Sequence, residues 1–117
     1  MTGAAVLIGT AGAGNYKIYL IDWTGNVVAQ TASFAVAATG QFIGNNFSST
    51  YFAKGPGRYF LAVQCDNAAS ANRIRTFPVG GFGAVARTGI TFGSLANNSA
   101  NAPSSFVANV APIAFLY

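Results

Sequence analysis

Two aspartates, Asp22 and Asp66, are the only acids in the chain, and histidine is absent. General acid–base catalysis needs titratable groups held close together, and this inventory offers almost nothing to pair. Each aspartate ends an apolar run and precedes turn-forming residues, in Asp22-Trp23-Thr24-Gly25 and in Asp66-Asn67. A carboxylate in such a place accepts local backbone N–H bonds and shapes a turn, which accounts for both positions. A glycosidase would instead need the two acids across one cleft. Serine and cysteine nucleophiles lack the imidazole base of the common triads. Metal ligation fails for want of histidine, and Cys65 is the single cysteine, so it has no intrachain disulfide partner. Within its apolar run Cys65 is expected to be a small buried hydrophobe. The residues therefore predict no enzyme, no cofactor and no metal.

What remains is the chemistry of binding. Gly9-Thr10-Ala11-Gly12-Ala13-Gly14 follows an apolar strand, as a dinucleotide fingerprint would. Its glycines miss the required spacing, and a strand follows where pyrophosphate needs a helix N-terminus. Asn46-Phe47-Ser48 and Asn97-Asn98-Ser99 fit the glycosylation triplet, a pattern loose enough to arise by chance. Arg73 and Arg75 share one face of a short strand, with Arg58 expected on a neighbouring strand, so the three form a candidate surface contact. Six Lys and Arg over the whole chain make no stripe along which phosphates are neutralised. A subunit contact or a solvated face accounts for these arginines better than nucleic acid does. Trp23, Tyr51 and Tyr117 could stack on sugar rings, or they serve in a core or interface.

The elements that must carry these groups are short apolar runs broken by Gly, Asn, Ser and Pro. Val6 to Ile8 is a strand ending at the glycine-rich loop, and Tyr16 to Trp23 is the next. Thr24-Gly25-Asn26 is a hairpin turn, with Val27 to Thr31 returning. Ser33 to Thr39 is strand or loop, and Gln41 to Thr50 reads as a loop tucking single phenylalanine rings inward. Lys54-Gly55-Pro56-Gly57 is a turn that launches a strand from Arg58 to Gln64. A connection from Asp66 to Asn72 leads to a strand from Arg73 to Phe77, then an irregular stretch from Pro78 to Gly83. Ala84 to Phe92 holds a short strand and Gly93 to Ser105 is a polar loop. Val107 to Tyr117 closes the chain as a strand, with Pro112 at an edge or bulge. Seven or eight short strands without a helix, in one domain spanning residues 1–117, make an all-β antiparallel β-sandwich, jelly-roll-like in kind.

Charged residues make up only 7% of the 117 residues, where soluble chains carry roughly 25%. Hydrophobic types reach 52%, which excludes the composition of a disordered chain. The net charge of +4 reflects scarce acids, not abundant bases. The long uncharged stretches are too rich in Gly, Asn and Ser to cross a bilayer as helices, so no membrane insertion is expected. Met1-Thr2-Gly3 opens without the basic region and apolar core of a secretory signal. Along the strands the shortage of charge takes a pattern. Tyr16, Ile18 and Leu20 share one face while Tyr19, Ile21 and Trp23 share the other. Tyr59, Leu61 and Val63 likewise oppose Phe60 and Ala62. A domain this small has too little interior to bury two such faces. Tyr19, Ile21, Trp23 and Phe60 are therefore the candidate subunit interface, and a second copy of the chain is the expected partner.

Two phrases carry a resemblance. Ile18-Tyr19-Leu20-Ile21-Asp22-Trp23-Thr24-Gly25-Asn26-Val27-Val28-Ala29-Gln30-Thr31 is an apolar strand, a Gly-Asn turn and a small-residue strand. Gly55-Pro56-Gly57-Arg58-Tyr59-Phe60-Leu61-Ala62-Val63 is a turn followed by an aromatic-rich strand. Together they resemble the small jelly-roll domains of tailed-bacteriophage virion proteins, namely head fibres, capsid decoration proteins and tail-fibre tips. The ending Pro112-Ile113-Ala114-Phe115-Leu116-Tyr117 is similar to theirs. Secreted adhesion and sugar-binding sandwiches use comparable phrases. The resemblance implies a non-enzymatic structural protein of a phage virion, a homotrimeric or otherwise symmetric capsid decoration or head- or tail-fibre component, assembled in the host cytoplasm. Its partners would be further copies of itself, the major capsid or another virion protein, and a host-surface glycan. The alternative is a carbohydrate- or host-receptor-binding module. Neither a catalytic residue nor a nucleic-acid partner is implied.

Overall fold

Ten strands follow one another: β1 (Gly3–Thr10), β2 (Asn15–Asp22), β3 (Val27–Gln30), β4 (Phe34–Ala35), β5 (Phe42–Asn46), β6 (Tyr59–Cys65), β7 (Arg73–Ile74), β8 (Thr76–Ala86), β9 (Ser105–Pro112) and β10 (Ala114–Leu116). The computed structural model describes residues 1–36, 38–67, 72–86, 90–95 and 105–117, and among these no helix occurs. Arg87, residues 68–71 of the expected connection and most of the expected polar loop, with its Asn97 triplet, lie outside the described residues.

Two sheets are built around two central strands, and every pairing is antiparallel. β5 runs along one edge of β1, from Gly3↔Asn46 to Leu7↔Phe42. The opposite edge is divided between β10, at Ala4 to Val6, and β7, at Ile8 and Thr10. β6 runs along one edge of β2, from Tyr16↔Cys65 to Asp22↔Tyr59. Its opposite edge is divided between β3 and β4. Alternation then decides what is buried, because successive side chains leave opposite faces of a strand. Ala4, Val6 and Ile8 of β1 meet Tyr16, Ile18 and Leu20 of β2 in one core, closed by Val36 and Phe47. Tyr59, Leu61, Val63, Ile74 and Leu116 pack around it. The protein is an all-β antiparallel sandwich, and both strands read as two-faced send the expected face inward.

The sheets are stitched at a corner. Past β3 the chain leaves β2, and Thr31 forms a bridge with Phe47, just beyond β5. Thr31 is fully buried. Its N–H donates to the Ile18 carbonyl at 2.9 Å, and its hydroxyl accepts the Ile18 N–H at 3.0 Å. A side chain thus completes the ladder where the backbone of the partner strand turns away.

β8 and β9 form a separate two-stranded ribbon, from Thr76↔Pro112 to Ala86↔Ser105. It springs from β1 at a three-way backbone junction. The Arg75 N–H donates to the Leu7 carbonyl at 2.8 Å, the Leu7 N–H to Ile113 at 2.9 Å, and the Ile113 N–H to Arg75 at 2.8 Å.

Three expectations change. Gln41 to Thr50 is not a loop, since it contains β5. Gly44 there serves close packing and not a turn, because a Cβ would stand 2.7 Å from the Ala5 Cα and strike the Ala4 carbonyl. Pro78 to Gly83 lies inside β8, and its irregularity is one of register, with shifts on either side of Phe82. Opposite the first shift Asn109 takes a left-handed φ of 61°, a conformation Asn tolerates better than most residues. The closing strand is two strands, β9 and β10, separated at Ile113 where the ribbon joins β1.

Thr31→Val keeps the shape of the side chain and strands the Ile18 N–H in the core. The expected loss is about 1–3 kcal/mol in urea unfolding, with Thr31→Ser, which keeps the acceptor, costing less.

Candidate functional site

Three surfaces merit a functional reading, and the first was not singled out by sequence. On the sheet of β5, β1 and β10, the face turned away from the core carries Phe42, Phe115 and Tyr117, each about half exposed. Phe115 lies opposite Ala5, and Phe42 opposite Leu7. The Phe42 and Phe115 rings are 4.9 Å apart at 67°, and Phe115 and Tyr117 are 5.9 Å apart at 50°. Small residues beneath make room: a Cβ on Gly3 would stand 2.5 Å from the Tyr117 ring. Tyr117 is fixed there by backbone bonds to Gly3 in both directions, at 3.0 and 3.1 Å. None of β1, β5 and β10 contains a charged residue. Rings tilted to this degree present edges and faces together, which suits interdigitation with other side chains. The sequence signal for this face is faint, since Phe42 falls in a stretch that reads as a loop and Phe115 and Tyr117 in a closing strand whose partners are not evident.

The expected interface lies on the other sheet and is smaller than anticipated. Tyr19 is 0% exposed, so it is covered by its own chain and cannot meet a second subunit. Its hydroxyl donates to Gln64 Oε1 at 2.7 Å and is bonded by the Leu95 N–H. Gln64 in turn accepts the Gly93 N–H at 3.0 Å and donates to the Thr91 carbonyl at 3.4 Å. Residues 90–95 therefore fold over this part of the sheet, and the Lys17 ammonium stands 5.4 Å from the Tyr19 ring centre. Ile21 is half-buried beside its cross-strand partner Phe60, which is 56% exposed. Trp23 is 72% exposed but lies past the end of β2, in the turn.

The arginines do not assemble as expected. Arg58 precedes β6 in the β2 sheet, whereas Arg73 and Arg75 flank Ile74 at the edge of β1 in the other sheet. Arg73 and Arg75 are both exposed, while Ile74 between them packs on the core. Cys65 also departs from expectation. It is exposed at the end of β6, with the Asn72 amide donating to its sulfur at 3.4 Å.

The third surface is a hollow of about 180 Å³ at the rim of the core, lined by Asp22, Trp23, Tyr51, Lys54, Gly57 and Tyr59 among others. The turn after β2 builds one wall. The Gly25 N–H donates to the Asp22 carbonyl at 3.0 Å, and Gly25 takes the φ of 89° that closes such a turn. Asp22 Oδ1 accepts the Thr24 hydroxyl at 2.6 Å and the Thr24 and Asn26 N–H groups at 2.9 Å each. These bonds, the Thr24 hydroxyl first, hold the carboxyl below its usual range. Tyr51 and Tyr59 form the facing wall, their rings 5.9 Å apart at 70° and their hydroxyls 3.5 Å apart. That hydroxyl contact is the main cause pushing the Tyr59 phenol up. Backbone bonds in both directions, each 3.0 Å, tie Tyr51 to Met1.

Asp22 shapes its turn as expected, but Asp66 works at longer range. It accepts the Asn15 backbone and side-chain N–H groups at 2.7 Å each, binding β6 to the start of β2. No family model, curated protein or solved structure matches this chain.

Both carboxyls titrate below their ordinary value in the folded chain, Asp66 chiefly through the Asn15 backbone bond. A depressed folded pKa gives stability that is complete above the unfolded value and lost as pH falls through the folded one. The melting temperature is therefore expected to hold from neutral pH down to about 5 and to fall below about 4. Asp66→Asn should flatten that acid limb in melts followed by circular dichroism.

Proposed function

We propose that the chain is a non-enzymatic structural protein that assembles with copies of itself, as a decoration or fibre component of a phage virion. The observation that carries the assembly is the uncharged face of Phe42, Phe115 and Tyr117. Burying such rings contributes most of the energy in protein interfaces, where aromatic anchors cluster at the centre. Ile21 and Phe60 add a second, smaller apolar area on the other sheet.

The virion role rests on the two phrases that resemble phage jelly-roll domains. They are neighbours in space: the first contains most of β2 with its turn and β3, and the second runs into β6, paired along β2. A homotrimer seated on the capsid or another virion protein, and carried out of the host within the particle, is the assembly this reading favours.

Light scattering is expected to give three times the 12.0 kDa chain mass, and a strict monomer at micromolar concentration would overturn the assembly. Phe115→Glu should weaken association by more than about 2 kcal/mol while leaving the β spectrum intact, and Phe52→Glu should leave the mass unchanged. On purified particles the copy number should be a multiple of three by quantitative mass spectrometry. Absence from particles removes the virion role and leaves the oligomer standing.

A further inference from the structure

The hollow beside the β2–β3 turn has features that assembly does not use, and we propose that it binds a single neutral pyranose ring of a glycan. Trp23 offers an indole face that is largely bare. Gly57 forms the floor: a Cβ there would lie 3.9 Å from Trp23 Cδ1 and 3.8 Å from the Tyr59 ring, so the missing side chain keeps the space between the rings open. The volume of about 180 Å³ holds roughly six waters at liquid density, a set that one pyranose with its hydroxyls can replace. An aromatic surface with a few convergent polar groups is the general make-up of a small-molecule site.

The polar groups fit hydroxyls. The Thr24 hydroxyl and the Thr24 and Asn26 N–H groups bond Oδ1, and with only the Gly25 N–H acting on the carboxylate besides, Oδ2 keeps the capacity to accept from a sugar. The Lys54 ammonium supplies donors, and the Tyr51 and Tyr59 hydroxyls supply both donors and acceptors. A carboxylate in the wall opposes phosphate, which sets nucleotides aside despite the stacking surface. The walls are also held in place beforehand. Trp23 lies inside a hydrogen-bonded turn and Tyr51 is tied to Met1, so little ordering remains to be done on binding. None of Phe42, Phe115 and Tyr117 lines the hollow, so the site stands apart from the face proposed for assembly.

Trp23 is the single tryptophan of the chain, so its fluorescence reports on this hollow alone. The full chain is titrated with D-glucose, D-galactose and N-acetyl-D-glucosamine. The expected result is a saturable emission change with at least one of them, at a millimolar dissociation constant. Gly57→Val, which fills the floor, and Lys54→Ala should each weaken it at least about ten-fold, and Phe52→Ala should leave it unchanged. Circular dichroism establishes that each variant is folded, and Lys54→Ala carries the test if Gly57→Val is not. No saturable change with any of the three sugars, or undiminished affinity in both hollow variants, overturns the proposal.

Discussion

The fold depends on two strands, β1 and β2, each hydrogen-bonded along both edges and pressed together through alternate side chains. Val6 and Ile8 on one side and Ile18 and Leu20 on the other are wholly excluded from water. Each such side chain is worth about 1.5–3 kcal/mol when fully buried, and in a chain this short there are few of them. The central strands therefore need every edge bond they can make. Each gives one edge to a single long partner and divides the other between two short ones. The divisions fall where the chain has other business. One is the departure of the β8–β9 ribbon at Leu7, and the other is the crossing from β3 toward β5 at Thr31. At each break something replaces the missing ladder: a three-way backbone junction in the first case, a threonine hydroxyl in the second.

With the interior spent on one pair of faces, the outer faces are left apolar, and the two sheets manage them differently. On β2 the tyrosine in the middle is hidden by residues 90–95, whose backbone groups are gathered by the amide of Gln64. Enclosing a tyrosine this way works because its hydroxyl finds partners. On the β1 sheet the Arg75 side chain lies against Gly9, and the three aromatic rings beyond it have no comparable cover among the described residues. Tyr117 and Phe115 instead settle onto Gly3 and Ala5, and Phe42 lies across from Leu7, each ring about half exposed. The low charge of the chain is thus not spread evenly in its consequences. It is resolved within the chain on one side and leaves exposed rings on the other.

Local pattern made part of this legible. β2, its turn, β3 and β6 follow from alternation and from Asp-Trp-Thr-Gly-Asn and Gly-Pro-Gly punctuation, all read over a few neighbouring residues. The inward faces of β2 and β6 follow for the same reason. What escaped depends on partners distant in sequence. β5 carries Gly44 because Ala4 and Ala5 approach it, and that glycine looks like a loop when its neighbours are unknown. Tyr19 looks as exposed as Ile21 until Gln64 and Gly93 are placed over it. Arg58 cannot be assigned to a sheet before the order of strands is known, and Cys65 sits in an apolar run whose end happens to face water.

Asp22 shows why a structural account of a residue does not exhaust it. Read alone, it is a turn former, and the turn is there, with three donors converging on one carboxylate oxygen. The same turn is what carries Trp23 beyond the end of β2 and holds its indole away from the core. The register Asp22↔Tyr59 then sets the carboxylate beside the tyrosine pair. Shaping the turn and lining the hollow are therefore one arrangement seen from two sides. Because the Thr24 and Asn26 bonds converge on Oδ1, the carboxylate keeps acceptor capacity, and the residue can do the first without giving up the second.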